Sequence, residues 1–182
     1  MHTDELTEVL RKQPFVASLQ PWQIDRLVAL ATQVQFDGDS LIFKEGDHCL
    51  QFYVIESGRV ALESITPDGI FRVDTLGPGD EMGWSSLLAG TGRHFQARAL
   101  GAVTAVAFAG EDLLHYCRTD PNLGVNILLR LLEVVSGRLQ ATRMLMLEQR
   151  GLPAADLPGR MAISRPRERA LATAERSGVW PY

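Results

Sequence analysis

The sequence predicts a mainly β domain with flanking helices: a sandwich or barrel of short strands, entered through two small helices and left through a long one. Three observations carry this. From Val34 to Ala109, short apolar runs alternate with Gly-, Asp- and Pro-containing turns at intervals of roughly ten residues, the spacing of an antiparallel all-β fold. On both sides of that region the apolar period changes from two to that of a helix. At its centre, Leu76 to Ala99 (LGPGDEMGWSSLLAGTGRHFQARA) breaks the strand pattern with glycines around one short apolar run.

Residues 4 to 12 form a short amphipathic helix, with Leu6, Val9 and Leu10 on one side. A second helix is expected to begin near Ser18 as N-cap, with Pro21 in its first turn and Ile24, Leu27, Val28 and Ala31 as one buried stripe. Strands follow at Val34–Phe36, Leu41–Phe43, Phe52–Ile55, Arg59–Ile65, Ile70–Leu76, Phe95–Ala99 and Val103–Phe108. The turns between them are Asp37-Gly38-Asp39, Glu45-Gly46-Asp47, Ser57-Gly58, Pro67-Asp68-Gly69 and Gly77-Pro78-Gly79. Glu111 and Asp112 suit a helix start, and Thr119-Asp120-Pro121 ends that helix. A long helix then runs from about Pro121 to Arg150. On it, Leu128, Leu132, Val135, Leu139, Thr142 and Met146 follow heptad spacing, beside a second stripe of Ile127, Leu131 and Val134. The expectation is that one stripe packs on the strands while the heptad seam meets an identical helix in a homodimer. The alternative is one helix burying both stripes in its own domain. Residues 1–150 thus form one unit, and 151–182, with five arginines and repeated prolines, form a tail.

Composition excludes several classes. The 182 residues suffice for a proper core, and 46% hydrophobic with 22% charged residues is ordinary for a globular chain. A net charge of −4 offers no general attraction to nucleic acid. Cys49 and Cys117 form no CxxC pair and read as reduced thiols of a cytoplasmic protein. The start, MHTDELTEVL, is no signal peptide, and no apolar run is long enough to span a membrane. A jelly-roll enzyme needs clustered His and carboxylate ligands, whereas His48 and His115 stand apart and no HxH pair occurs, so neither a catalytic nor a metal site is expected.

The central stretch holds the chemistry. It reads as strand, tight Gly turn, one or two helical turns, a loop bearing Arg93, and a strand. The first turn of a helix exposes unpaired N–H groups that suit an anion, and Arg93 adds a formal charge and a planar fork. The glycine spacing fits neither a dinucleotide fingerprint nor a Walker loop.

Taken together, Phe36-Asp37-Gly38, Glu45-Gly46-Asp47, Phe52-Tyr53-Val54-Ile55-Glu56-Ser57-Gly58, Gly79-Asp80 with Gly83, Arg93, Arg98-Ala99 and Asp120-Pro121 resemble a known pattern. It is that of the Crp/Fnr-type cyclic nucleotide-binding sensor domains, over about residues 19 to 150. The resemblance implies a jelly roll followed by a long dimerisation helix. It also implies a candidate pocket of Gly83, Trp84, Ser85, Arg93, His94 and Thr142 for a cyclic nucleotide or another small anion. Arg93 matches the family's phosphate-binding arginine, and Thr142 matches the threonine that reaches the adenine amino group. The glutamate that grips the ribose hydroxyl is replaced by Trp84, and the small hydroxyl residue after the arginine by His94. Either the pocket is vestigial, with Trp84 packed under the cassette, or it takes a different ligand. His94 reads as a pocket or surface residue rather than a metal ligand. Family regulators continue into a winged helix-turn-helix. Here the long helix is followed by a proline-broken stretch of 32 residues, from Gly151 on, so sequence-specific DNA binding is not expected. The expected function is a non-enzymatic sensor that dimerises and signals to a protein partner. The competing reading is a transcription regulator that touches DNA through its tail.

Overall fold

The computed structural model describes residues 3–48, 50–88 and 92–149. Expectations for Cys49, Arg150 and the tail from Gly151 fall outside the described residues. The chain divides into two units at Leu128 and Leu129, and each is taken by itself.

The first unit opens with α1 (Thr3–Arg11), a 3-10 turn at Pro14–Val16 and α2 (Pro21–Val28). Eight strands follow: β1 (Ala31–Phe36), β2 (Leu41–Phe43), β3 (Gln51–Ser57), β4 (Val60–Thr66), β5 (Gly69–Leu76), β6 (Glu81–Met82), β7 (Gln96–Ala99) and β8 (Val103–Ala109). They make two four-stranded antiparallel sheets, ordered β1-β8-β3-β6 and β2-β7-β4-β5. This is the expected jelly roll. Helix α3 (Gly110–Thr119) comes next, and α4 (Pro121–Gln149) begins in this unit.

The period-two pattern explains the core. In β3, Phe52 and Val54 point to one face, and Tyr53 and Ile55 to the other. Tyr53 and Ile55 join Val60, Leu62, Leu76, Met82, Ala97 and Ala99 in the cluster between the sheets. Small residues oppose large ones there: Ala107 pairs with Tyr53 and Ala105 with Ile55, which lets the two layers interdigitate. On the far side, Phe52 and Phe108 pack with Phe15, ring centroids 5.0 to 6.3 Å apart, under the N-terminal segment.

Four local expectations need correction. Helix α2 starts at Pro21 rather than near Ser18, because Gln20 is its cap: the Gln20 N–H donates to Gln23 Oε1 at 3.0 Å. The stripe therefore ends at Val28, and Ala31 opens β1, drawn into the sheet by its register with Phe108. The run after Gly83 is a single 3-10 turn, Trp84–Leu87, rather than one or two α-helical turns. Strand β6 has only two residues and no alternation to display, so it escaped notice; its pairing with Tyr53 and Val54 reveals it.

At the junction of α3 and α4, Asp120 caps α4. Its Oδ1 accepts from the Leu123 N–H at 3.1 Å and its Oδ2 from Gln23 Nε2 at 3.1 Å. These bonds, the backbone one first, hold its carboxyl below the usual carboxylate range. Leu123 and Ile127 are buried, whereas Leu128 is exposed.

In the second unit, Leu132, Val135, Leu139 and Met146 are exposed, Leu139 to 70%. Val134 is buried and Leu131 half-buried. The two stripes of α4 are therefore distinct. Among the described residues no helix is long and apolar enough to cross a membrane.

Candidate anion-binding site

The site begins where β5 ends. Asp80 closes the turn after it: its Oδ2 accepts from the Gly77 N–H at 2.7 Å, and its own N–H donates to Gly77 O at 3.0 Å. The Gly79 N–H donates to Ile55 O, and the Ile55 N–H to Asp80 O, so the turn is stapled to β3. After β6 the chain reaches Gly83 at φ 77°, the left-handed region that glycine enters at no steric cost. The 3-10 turn then closes through Ser86 N–H to Gly83 O and Leu88 N–H to Ser85 O. Ser85 and Leu87 are buried within it, and Trp84 is half-buried.

Arg93 returns the chain to the same place. Both of its backbone groups are taken by the turn after β2: its N–H donates to Asp47 O at 3.0 Å, and its carbonyl accepts from the Gly46 N–H at 2.9 Å. Its side chain lies inward, leaving the residue only 6% exposed. Nη2 donates to the Gln51 carbonyl at 2.8 Å, and the guanidinium carbon lies 4.1 Å from the centroid of the Phe43 ring. A β-carbon at Gly83 would stand 2.5 Å from Nη1 and 2.5 Å from Gln51 O. Gly83 is thus demanded twice, by its backbone angle and by the guanidinium pressed against it.

Of the residues singled out in the sequence, Gly83 and Arg93 are in direct apposition, and Trp84 and Ser85 follow Gly83 in the turn. His94 is exposed. Thr142 lies on α4 in the second unit, its hydroxyl donating to the Arg138 carbonyl at 2.9 Å. The sequence reading missed Phe43 and Gln51. Phe43 was read only as part of a strand, and Gln51 contributes a backbone carbonyl that carries no side-chain signature. Tyr53 sits behind Phe43, rings stacked at 6.4 Å. Burial pushes its hydroxyl pKa up, and the charge of Arg93 partly opposes that.

A desolvated guanidinium beside a left-handed glycine turn can hold an oxyanion through paired in-plane N–H donors. Residues 33–120 match the cyclic nucleotide-binding domain family. The N-terminal domain of a transcriptional regulator from Streptomyces coelicolor A3(2) is 30% identical, covering 74% of this chain and 94% of that one, with a TM-score of 0.58. This chain belongs to the cyclic nucleotide-binding domain family, in its Crp/Fnr branch. Within that family, a putative cyclic nucleotide-binding protein from Geobacter metallireducens GS-15 is 27% identical, covers 73% of this chain and 97% of its own, and gives a TM-score of 0.66. A CRP-like cAMP-activated global transcriptional regulator from Mycobacterium tuberculosis is 27% identical over 175 residues, 96% of this chain and 73% of that protein. The Crp/Fnr relatives are regulators, and this domain is a regulatory one.

Proposed function

We propose that this domain is a non-enzymatic sensor in which Arg93 holds a small anion other than cyclic AMP. In this reading two copies pair through the α4 seam and the signal passes to a protein partner. The observation that carries the reading is the placement of Arg93. Burying a guanidinium is costly, yet this one is kept inside the fold against Gly83 and the Gln51 carbonyl. Next after Gly83 in the turn, half-buried Trp84 holds the position that, by the family resemblance, carries the ribose-gripping glutamate in members that bind cyclic AMP. An indole there removes the sugar contact and occupies volume.

Calorimetry with cyclic AMP on three proteins tests this. The wild type should bind poorly. Trp84→Glu with His94→Ser should gain about 10- to 150-fold, the worth of a charge-assisted hydrogen bond, and adding Arg93→Ala should abolish the gain. Tight binding by the wild type sinks the reading. A folded double variant that binds nothing points to divergence beyond Trp84. For the dimer, the exposed residues Leu128, Leu132, Val135, Leu139 and Met146 are the support. Leu139→Asp would set two carboxylates face to face in the seam and should yield monomers by light scattering; a monomeric wild type would remove the dimer from the reading.

A second reading, direct transcriptional regulation, draws on the Mycobacterium relative, which aligns over 96% of this chain. A gel shift against competitor DNA at physiological salt separates the two: one site bound at sub-micromolar concentration favours the second.

A further inference from the structure

We propose that Phe43 is the positioning residue of the Arg93 site: its ring sets the plane in which the guanidinium meets an oxyanion. The inference rests on the reading of Arg93 as the anion-holding group. The Gln51 carbonyl accepts from Nη2 at 2.8 Å, and Nη1 lies 2.5 Å from where a β-carbon at Gly83 would stand. A hydrogen bond at one nitrogen leaves the tilt of a planar group to be set by what lies against its face. The Phe43 ring lies there, its centroid 4.1 Å from the guanidinium carbon. Because phosphate and carboxylate are recognised edge-on by coplanar N–H donors, the angle of the plane decides whether an anion meets one donor or two.

The ring that sets this plane is itself held. Tyr53 stacks behind Phe43 at 6.4 Å and 19°, and Phe36 meets Tyr53 edge-on at 6.0 Å and 73°. A row of side chains therefore runs from β1 through β3 and β2 to the cassette. The backbone of β2 is shaped for the purpose. Its register with β7 slips between Leu41, opposite Arg98, and Phe43, opposite Ala97. The irregularity lets Ile42 and Phe43, neighbours that a regular strand would send to opposite faces, both pack against the cluster between the sheets. Phe43 is turned inward onto Arg93 by this slip.

Nuclear magnetic resonance of the arginine Nε–Hε groups tests the proposal, with the Arg93 signal assigned by its loss in Arg93→Lys. In the wild type that signal should lie upfield of the other arginines, shifted by the ring current, and in Phe43→Leu it should return among them. Titration with inorganic phosphate and with cyclic AMP, followed on the same signal, should then give about 3- to 10-fold weaker binding in Phe43→Leu, and near wild-type binding in Phe43→Tyr, which keeps the aromatic face. If leucine is not accommodated, Phe43→Met carries the same comparison. An unshifted Arg93 signal in the wild type overturns the proposal, as does anion binding that Phe43→Leu leaves unchanged; in the latter case the function of Arg93 stands. A shifted signal that responds to neither anion refutes the anion-holding reading, and the positioning role with it.

Discussion

Two buried ionised groups in this domain are held in contrasting ways. Asp120 is held by bonds that belong to helix-making: it caps α4 through the Leu123 N–H three residues on and accepts from Gln23 of α2. Arg93 is held by groups that belong to no single element: a ring on β2, a carbonyl on β3 and a glycine after β6. The first arrangement satisfies the fold and is closed. The second gathers one cation, a left-handed turn and an aromatic face, the materials of recognition. Burial of a charge alone therefore does not mark a site; what surrounds the charge does.

The sharpest way to break this contrast is at Gly83. Gly83→Ala must adopt a left-handed backbone and drive a β-carbon to 2.5 Å from Nη1 and the Gln51 carbonyl. The expected loss of stability is about 2–4 kcal/mol in chemical denaturation, backbone strain plus displacement of the arginine. Gly46→Ala is the control. It shares a positive φ of 85° but meets nothing within 4 Å, so only the strain, about 1–2 kcal/mol, should appear. Equal losses in the two would show that the guanidinium is not seated against Gly83.

Asp120→Asn should destabilise less than Gly83→Ala and leave any anion response at Arg93 untouched. Its signature is pH. A carboxyl whose pKa is lowered on folding contributes stability that is present above its unfolded value, near 3.9, and is lost as pH falls through the folded value. Melting temperatures followed downward from pH 5 should fall more steeply for the wild type than for Asp120→Asn. Parallel curves would remove Asp120 from the acid transition.

The smallest effect concerns Cys117, close to Asp120. Burial, with the Asp120 charge second, pushes its thiol up to about 11 from 9.0. Peptide mapping after iodoacetamide at pH 8 should find this residue slow to react, as a neutral thiol is. Because the raised value favours the protonated fold, its contribution to stability is complete below about pH 9 and drains away as pH rises toward 11. Rapid alkylation in the folded protein would contradict the burial of this thiol.

The legible parts of this protein were those governed by local or periodic rules. Alternation along β3, β4, β5 and β8, turn residues between them and the two stripes of α4 all announce themselves over a few residues, because burial on one face repeats with the period of the backbone. The order of elements and the family pattern followed, and Gly83 and Arg93, both singled out in the sequence, stand against each other in the fold. Where a competing local cap or a tertiary partner decided an element, the reading slipped. Gln20 displaced Ser18 as the cap of α2, Ala31 left a helical stripe for the sheet, and two-residue β6 was invisible without its partner strand. What only the tertiary structure decided is how Arg93 is held. The carbonyl that receives it lies 42 positions earlier in the chain, and the ring beneath it stands on a strand whose register slips, which no alternation pattern encodes. Periodicity reports which face of an element is buried. It carries no information on which distant group that face will meet, since that depends on how two sheets register in three dimensions.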